Sequence, residues 1–225
     1  MSKDNFCNPP ADTKPLCHPS ILSKNLNLTS RLIFSAHNIG LLLLERFSQI
    51  LGLPTSESLG LVHRKGRAST SALGILKYEK LSADCPLLGH SAHTDVGTLT
   101  LLFCHLGGLQ FLPPNKEEWE FIEPRPGHAI VNVGDSLRFL SGKRLASCLH
   151  RVVPLMGGTV AERYSCAYFM RPEMDVVLVD EEGESWRSLD WHVNKYSAFR
   201  APLDKQMVGS VMTGKSGFVG LWEGN

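Results

Sequence analysis

Three residues of this chain have the types and spacing to hold one metal ion. His93 and Asp95 lie two apart in "GHSAHTDVGTLTLL", where a turn enters an apolar run, so their side chains can share a face. The third candidate is His150, which opens the apolar end of "RLASCLHRVV" much further along the chain. Two imidazoles and a carboxylate leave open positions on an Fe(II) ion, enough for a chelating co-substrate and O₂ together. Zinc bound by the same donors would more often hold one water. Taken singly, Asp95 could equally cap the turn that follows it, and His150 could be a hydrogen-bonded core histidine.

A second grouping follows in "RYSCAYFMRP", where Arg163 and Ser165 are again two apart on an apolar strand. A guanidinium fork beside a hydroxyl makes a carboxylate clamp, and a buried arginine is costly without an anion. An intraprotein ion pair with Glu162, Glu173 or another acid would satisfy the same arginine. Tyr78, in "ILKYEK", can add a hydrogen bond to that anion or simply pack.

The elements that must position these residues are legible in outline. Residues 1–24, rich in proline, read as an extended or disordered lead-in, and residues 25–225 as one domain. Apolar positions 28, 32, 36, 39, 43, 47 and 50 recur at helical spacing; Thr29 or Ser30 offers a cap, and Gly52 and Pro54 a stop. A short helix is expected near Ser56–Val62. Strands are expected near 71–79, 98–104, 108–113, 119–123, 129–133, 148–153, 163–170 and 175–179, and helices at 189–199 and 204–208. The fold class is therefore mainly β with flanking helices, a jelly-roll core over about 71–180 followed by C-terminal helices over 189–208. The stripe on the first helix needs a cover, so a homodimer or partner-chain contact through Leu32, Ile39, Leu43 and Phe47 is expected.

Composition excludes other classes. The 225 residues are 43% apolar and 20% charged with a formal net charge of +1, which gives no nucleic-acid track and no polybasic membrane anchor. The six cysteines show no Cys-x-x-Cys spacing and the first residues contain no apolar leader, so reduced thiols and a soluble cytoplasmic protein acting on a small molecule are expected. Leu76, Phe103, Phe111, Leu137, Phe139 and Met170 are candidates for a substrate pocket or for core, and His90, His105 and His128 for pocket or surface.

From about Ser71 to Met170 the chain resembles the isopenicillin N synthase-like family of Fe(II)- and 2-oxoglutarate-dependent dioxygenases. The resemblance is carried by "HTDVGTLTLL", "GGLQF", the pattern W-x-x-I-x-P-x-P-G-x-x-I-V-N-V-G-D from Trp119 to Asp135, "HRVV" and "RYSCAYFMRP", in family order. It implies a double-stranded β-helix, iron held by His93, Asp95 and His150, and a 2-oxoglutarate carboxylate held by Arg163, Ser165 and Tyr78. It also implies O₂ as oxidant and hydroxylation, desaturation, epoxidation or ring closure of a small organic molecule, in the style of fungal natural-product enzymes. Two alternatives stay open: an oxidase of the isopenicillin N synthase type, whose Arg-x-Ser pair grips the substrate itself, and a shortened non-redox barrel that binds or cyclises a ligand. Family members usually carry roughly one hundred further residues ahead of the first helix, so an unusually open pocket, closure of the pocket by another chain, or the altered activity of a shortened protein is expected.

Overall fold

The computed structural model describes residues 20–78, 89–153 and 162–214. Helices α1 (Ser20–Lys24) and α2 (Leu26–Ile50) lead through 3₁₀ turns at Thr55–Glu57 and Leu59–Val62 into the strands. These are β1 (Ala72–Tyr78), β2 (His90–His93), β3 (Leu99–Cys104), β4 (Leu109–Leu112), β5 (Glu120–Phe121) and β6 (Ile130–Val133). Helix α3 (Asp135–Leu140) precedes β7 (Leu149–Val152), β8 (Arg163–Met170), β9 (Val177–Val179) and β10 (Ser185–Arg187), and α4 (Ser188–Arg200) and α5 (Leu203–Val208) follow.

Two antiparallel sheets face each other. The larger has the order β1-β8-β3-β6 and the smaller β2-β7-β4-β5, while β9 and β10 form a separate hairpin. This is the jelly-roll core expected from the strand count. Strand alternation divides each sheet into two faces. Arg163, Ser165, Ala167 and Phe169 of β8 line the space between the sheets, whereas Tyr168 and Met170 join Leu99 and Leu101 of β3 in an apolar layer outside it.

Helix α2 covers that outer layer with Ile33, Ala36 and Leu44. Gly40 permits the approach: a Cβ there would lie 2.4 Å from the Met170 sulfur. The polar groups on this helix face are satisfied, His37 by the Tyr168 hydroxyl at 3.1 Å and Ser48 by the Leu44 carbonyl at 2.7 Å. A second close approach sits at Gly134, where a Cβ would lie 2.3 Å from the Gly97 carbonyl oxygen; its backbone is extended, so contact rather than a left-handed turn demands glycine.

Several expectations need correction. The buried face of α2 is Thr29, Ile33, Ala36, His37, Gly40, Leu44 and Ser48, not the stripe counted from apolar residues alone. Leu32, Leu43 and Phe47 pack against the chain's own core, and of the four residues expected at a partner contact only Ile39 is exposed. Thr29 does not cap the helix; its hydroxyl donates to the Asn25 carbonyl at 3.0 Å, one turn back. Ser20–Lys24, at the end of the expected lead-in, is helical, and the rest of that segment lies outside the described residues. Strands β2 and β10 and helix α3 are additions to the expected elements. Each is only a few residues long and too polar or too short to show a period.

Candidate active site

His93 and His150 are partners directly across the β2–β7 pairing, with ring centroids 4.3 Å apart. The Nδ1 atom of His93 lies 2.8 Å from the Ser91 carbonyl oxygen, and that of His150 lies 2.9 Å from the Cys148 carbonyl oxygen. A ring nitrogen facing a carbonyl must carry the proton, so both rings turn unprotonated Nε2 atoms toward a common point. Asp95, just past the end of β2, brings Oδ1 to 3.7 Å from His93 Nε2 and 4.0 Å from His150 Nε2. One donor atom from each of the three lies within 4.8 Å of the others. This donor set fits a single divalent ion with open positions.

The second carboxylate oxygen of Asp95 is already engaged. Thr100 donates to Oδ2 at 2.6 Å and Asn132 at 2.8 Å, which fixes the carboxylate with Oδ1 facing the imidazoles. Burial alone would raise the Asp95 pKa, but the His150 and His93 imidazoles and these two hydrogen bonds hold it far below the usual carboxylate range. Burial, with His150 and His90 adding to it, pushes the His93 imidazole well below its ordinary value. The trio therefore sets a buried carboxylate beside the Nε2 faces of two imidazoles, a seat for a cation.

His93, Asp95 and His150 open into a cavity of about 340 Å³ between the sheets, walled by apolar residues such as Leu76, Leu102, Leu109 and Phe111. The clamp candidates line the same cavity near the start of β8. Tyr78 and Arg163 are register partners on β1 and β8, and the guanidinium carbon lies 4.8 Å from the Tyr78 ring centroid. Arg163 is 8% exposed; its Nε donates to the Gly107 carbonyl at 2.9 Å, while Nη1 and Nη2 are buried with no protein partner. The two acids named as alternative partners for it are taken. Glu162 binds Lys77 at 2.7 Å, and Glu173 binds Arg64 at 2.7 Å and Arg67 at 3.4 Å. A fork of two unpaired buried N–H groups beside the Ser165 side chain fits a carboxylate from outside the chain.

His90 also lines the cavity, although a three-residue offset from His93 would place the two on opposite faces of a regular strand. A β-bulge between them restores a common face. Phe199, from α4, sets its ring edge-on to His93 at 5.4 Å and to His90 at 6.3 Å. His105 and His128 are exposed. Leu76 and Phe111 do line the cavity, whereas Leu137, Phe139, Met170 and Phe103 belong to apolar clusters outside it. Thr100, Asn132 and Phe199 escape the sequence reading. The only sign of the first two is a polar side chain on an otherwise apolar strand.

Residues 71–172 match the model of the 2OG-Fe(II) oxygenase superfamily. The chain is 42% identical over 201 residues to 2-oxoglutarate-dependent dioxygenase iboH of Amanita muscaria, a match covering 87% of this chain and 96% of that one. It is 40% identical over 196 residues to 2-oxoglutarate-dependent dioxygenase gloE of Glarea lozoyensis, covering 87% of this chain and only 59% of the longer relative. Among solved structures, a full-length Neurospora crassa protein in complex with alpha-KG superposes with a TM-score of 0.70 at 22% identity, over 84% of this chain and 66% of that one. No helix among the described residues is long and apolar enough to cross a membrane. The fold, the His-Asp-His site and these matches together make the chain a member of the 2OG-Fe(II) oxygenase superfamily of 2-oxoglutarate-dependent, non-haem iron dioxygenases.

Proposed function

We propose that this chain oxidises a small organic molecule in natural-product biosynthesis, with His93, Asp95 and His150 holding Fe(II) and with Arg163, Ser165 and Tyr78 holding the distal carboxylate of 2-oxoglutarate. The observation that carries the reading is the pair of buried, unpartnered Nη groups of Arg163 in the cavity that the three metal donors share. When bound, the iron and the 2-oxo acid would supply the oxidising chemistry: one atom of O₂ would enter the co-substrate as it is oxidatively decarboxylated to succinate and CO₂, and the other two oxidising equivalents of O₂ would go to the substrate.

The chain's own residues position and enclose. The Arg163 fork and the Ser165 hydroxyl hold one end of the co-substrate, and the Tyr78 hydroxyl adds a third hydrogen bond. Thr100 and Asn132 keep one Asp95 oxygen toward the metal. Apolar walls keep water from the reacting centre, and they suit a substrate with a largely apolar face. A cytoplasmic setting is supported by Cys104, Cys148 and Cys166, which are all free thiols. If copies of the chain associate through α2, the contact uses its outward residues Phe34, Ile39 and Leu42; light scattering across a concentration series tests this.

The deciding experiment is an anaerobic titration of metal-free protein with Fe(II) and 2-oxoglutarate, followed by visible absorption. A weak band that saturates in the wild type and is lost in Asp95→Ala is expected. Bound iron without the band would overturn the 2-oxoglutarate role and favour a substrate carboxylate at Arg163. A substrate screen read by succinate release then identifies the reaction.

A further inference from the structure

We infer that Lys195 is a positioning residue for the iron site, a role that rests on the reading above. Its side chain is fully buried on α4, and its ammonium donates to Asp135 Oδ2 and, at 2.6 Å, to the Thr94 hydroxyl. Thr94 is the residue between His93 and Asp95. Asp135 in turn donates its backbone N–H to the Asp95 carbonyl at 2.8 Å and accepts the Ser147 hydroxyl on Oδ1 at 2.7 Å. Ser147 stands next to Cys148, whose carbonyl orients His150. The segments carrying all three metal donors thus meet at one buried ion pair.

Stability alone does not explain such a pair. Withdrawing an ammonium and a carboxylate from water costs about as much as their attraction returns, and a well-packed apolar pair often serves equally well. What an apolar pair cannot do is fix direction. The ammonium sets the Thr94 hydroxyl, which donates onward to the Met212 carbonyl at 3.3 Å, and Asp135 fixes the Asp95 backbone. The same pair anchors α4, the helix that carries Phe199 over the His93 ring.

The test is Co(II) titration of the metal-free full chain, read by the visible ligand-field spectrum, with Asp95→Ala marking binding at the triad. Lys195→Met should weaken Co(II) binding by about 10- to 100-fold and alter the spectrum. Ile33→Ala, on the buried face of α2 against the outer apolar layer, should lower the melting temperature and leave both Co(II) readouts unchanged. Should Lys195→Met fail to fold, Thr94→Val, which removes the bonds to Lys195 and to the Met212 carbonyl, and Ser147→Ala, which removes the bond to Asp135, should weaken Co(II) binding in the same direction. Equal effects of the Lys195 and Ile33 variants, or unaltered Co(II) binding in Thr94→Val and Ser147→Ala, would reduce the pair to ordinary structure. A wild type that binds no Co(II) at the triad would overturn both this inference and the iron reading.

Discussion

Thr100 and Asn132 stand opposite one another across β3 and β6, and both donate to the same oxygen of Asp95. A free carboxylate can rotate and offer either oxygen. This one cannot, because releasing Oδ2 would leave the buried Thr100 hydroxyl and the half-buried Asn132 amide unpaired. Asn132→Leu should therefore lower Fe(II) or Co(II) affinity by about tenfold or more while the protein stays folded. Metal titration of the variant beside circular dichroism checks this, and unchanged affinity would show that the carboxylate needs no such anchor.

Arg163 separates the two ends of the cavity experimentally. Lysine keeps the charge but replaces a planar fork with a point donor, so Arg163→Lys should raise the 2-oxoglutarate Kd by about tenfold or more. Metal affinity should not move, since the metal donors make no hydrogen bond to Arg163. Calorimetric titration with 2-oxoglutarate in the presence of an inert metal reports the first quantity, and Co(II) titration the second. Loss of metal binding alone would place the arginine in the wrong role.

What the sequence reveals about this site follows from what is local. The His93–Asp95 pair, the Arg163–Ser165 pair and the alternation of β8 are properties of neighbouring residues; strand geometry gives Arg163 and Ser165 a shared face, while Asp95, just past the end of β2, reaches His93 through its nearness in the chain. His90 is ambiguous in the sequence because its direction depends on a bulge, which inserts one residue and leaves no residue-type signature here. Thr100, Asn132 and Lys195 are invisible there for another reason. Their partners are on other elements, so their meaning emerges only once register and helix docking are known. The face of α2 departs from the apolar stripe because Thr29, His37, Gly40 and Ser48, which are polar or small, are what fit against the sheet.

Gly40 gives a stability prediction with two opposing terms. Alanine in a helix interior gains about 1 kcal/mol over glycine, while forcing extra volume into a well-packed core costs about 1–3 kcal/mol. The new Cβ would meet the sulfur of Met170, a side chain with no exposed surface, so the clash outweighs the gain. Gly40→Ala should lower the denaturation midpoint in urea. A higher midpoint would mean that Met170 moves aside at little cost.

Glu173 supplies a pH dependence whose sign can be worked out. Hydrogen bonds from Arg64 to its nearly buried carboxylate lead the effects that depress its pKa from 4.5 to about 2, against the opposing cost of burial. A depressed pKa means that the unfolded chain takes up the proton first as the pH falls. The stabilisation is therefore complete above the unfolded value of 4.5 and is lost progressively as the pH falls toward about 2. Glu173→Gln cannot ionise, so it should be less stable than the wild type at neutral pH, and the gap should close across that acid window. Urea denaturation of both proteins at a series of pH values measures the gap directly; a gap that stays constant down to the lower value would remove Glu173 from the acid response.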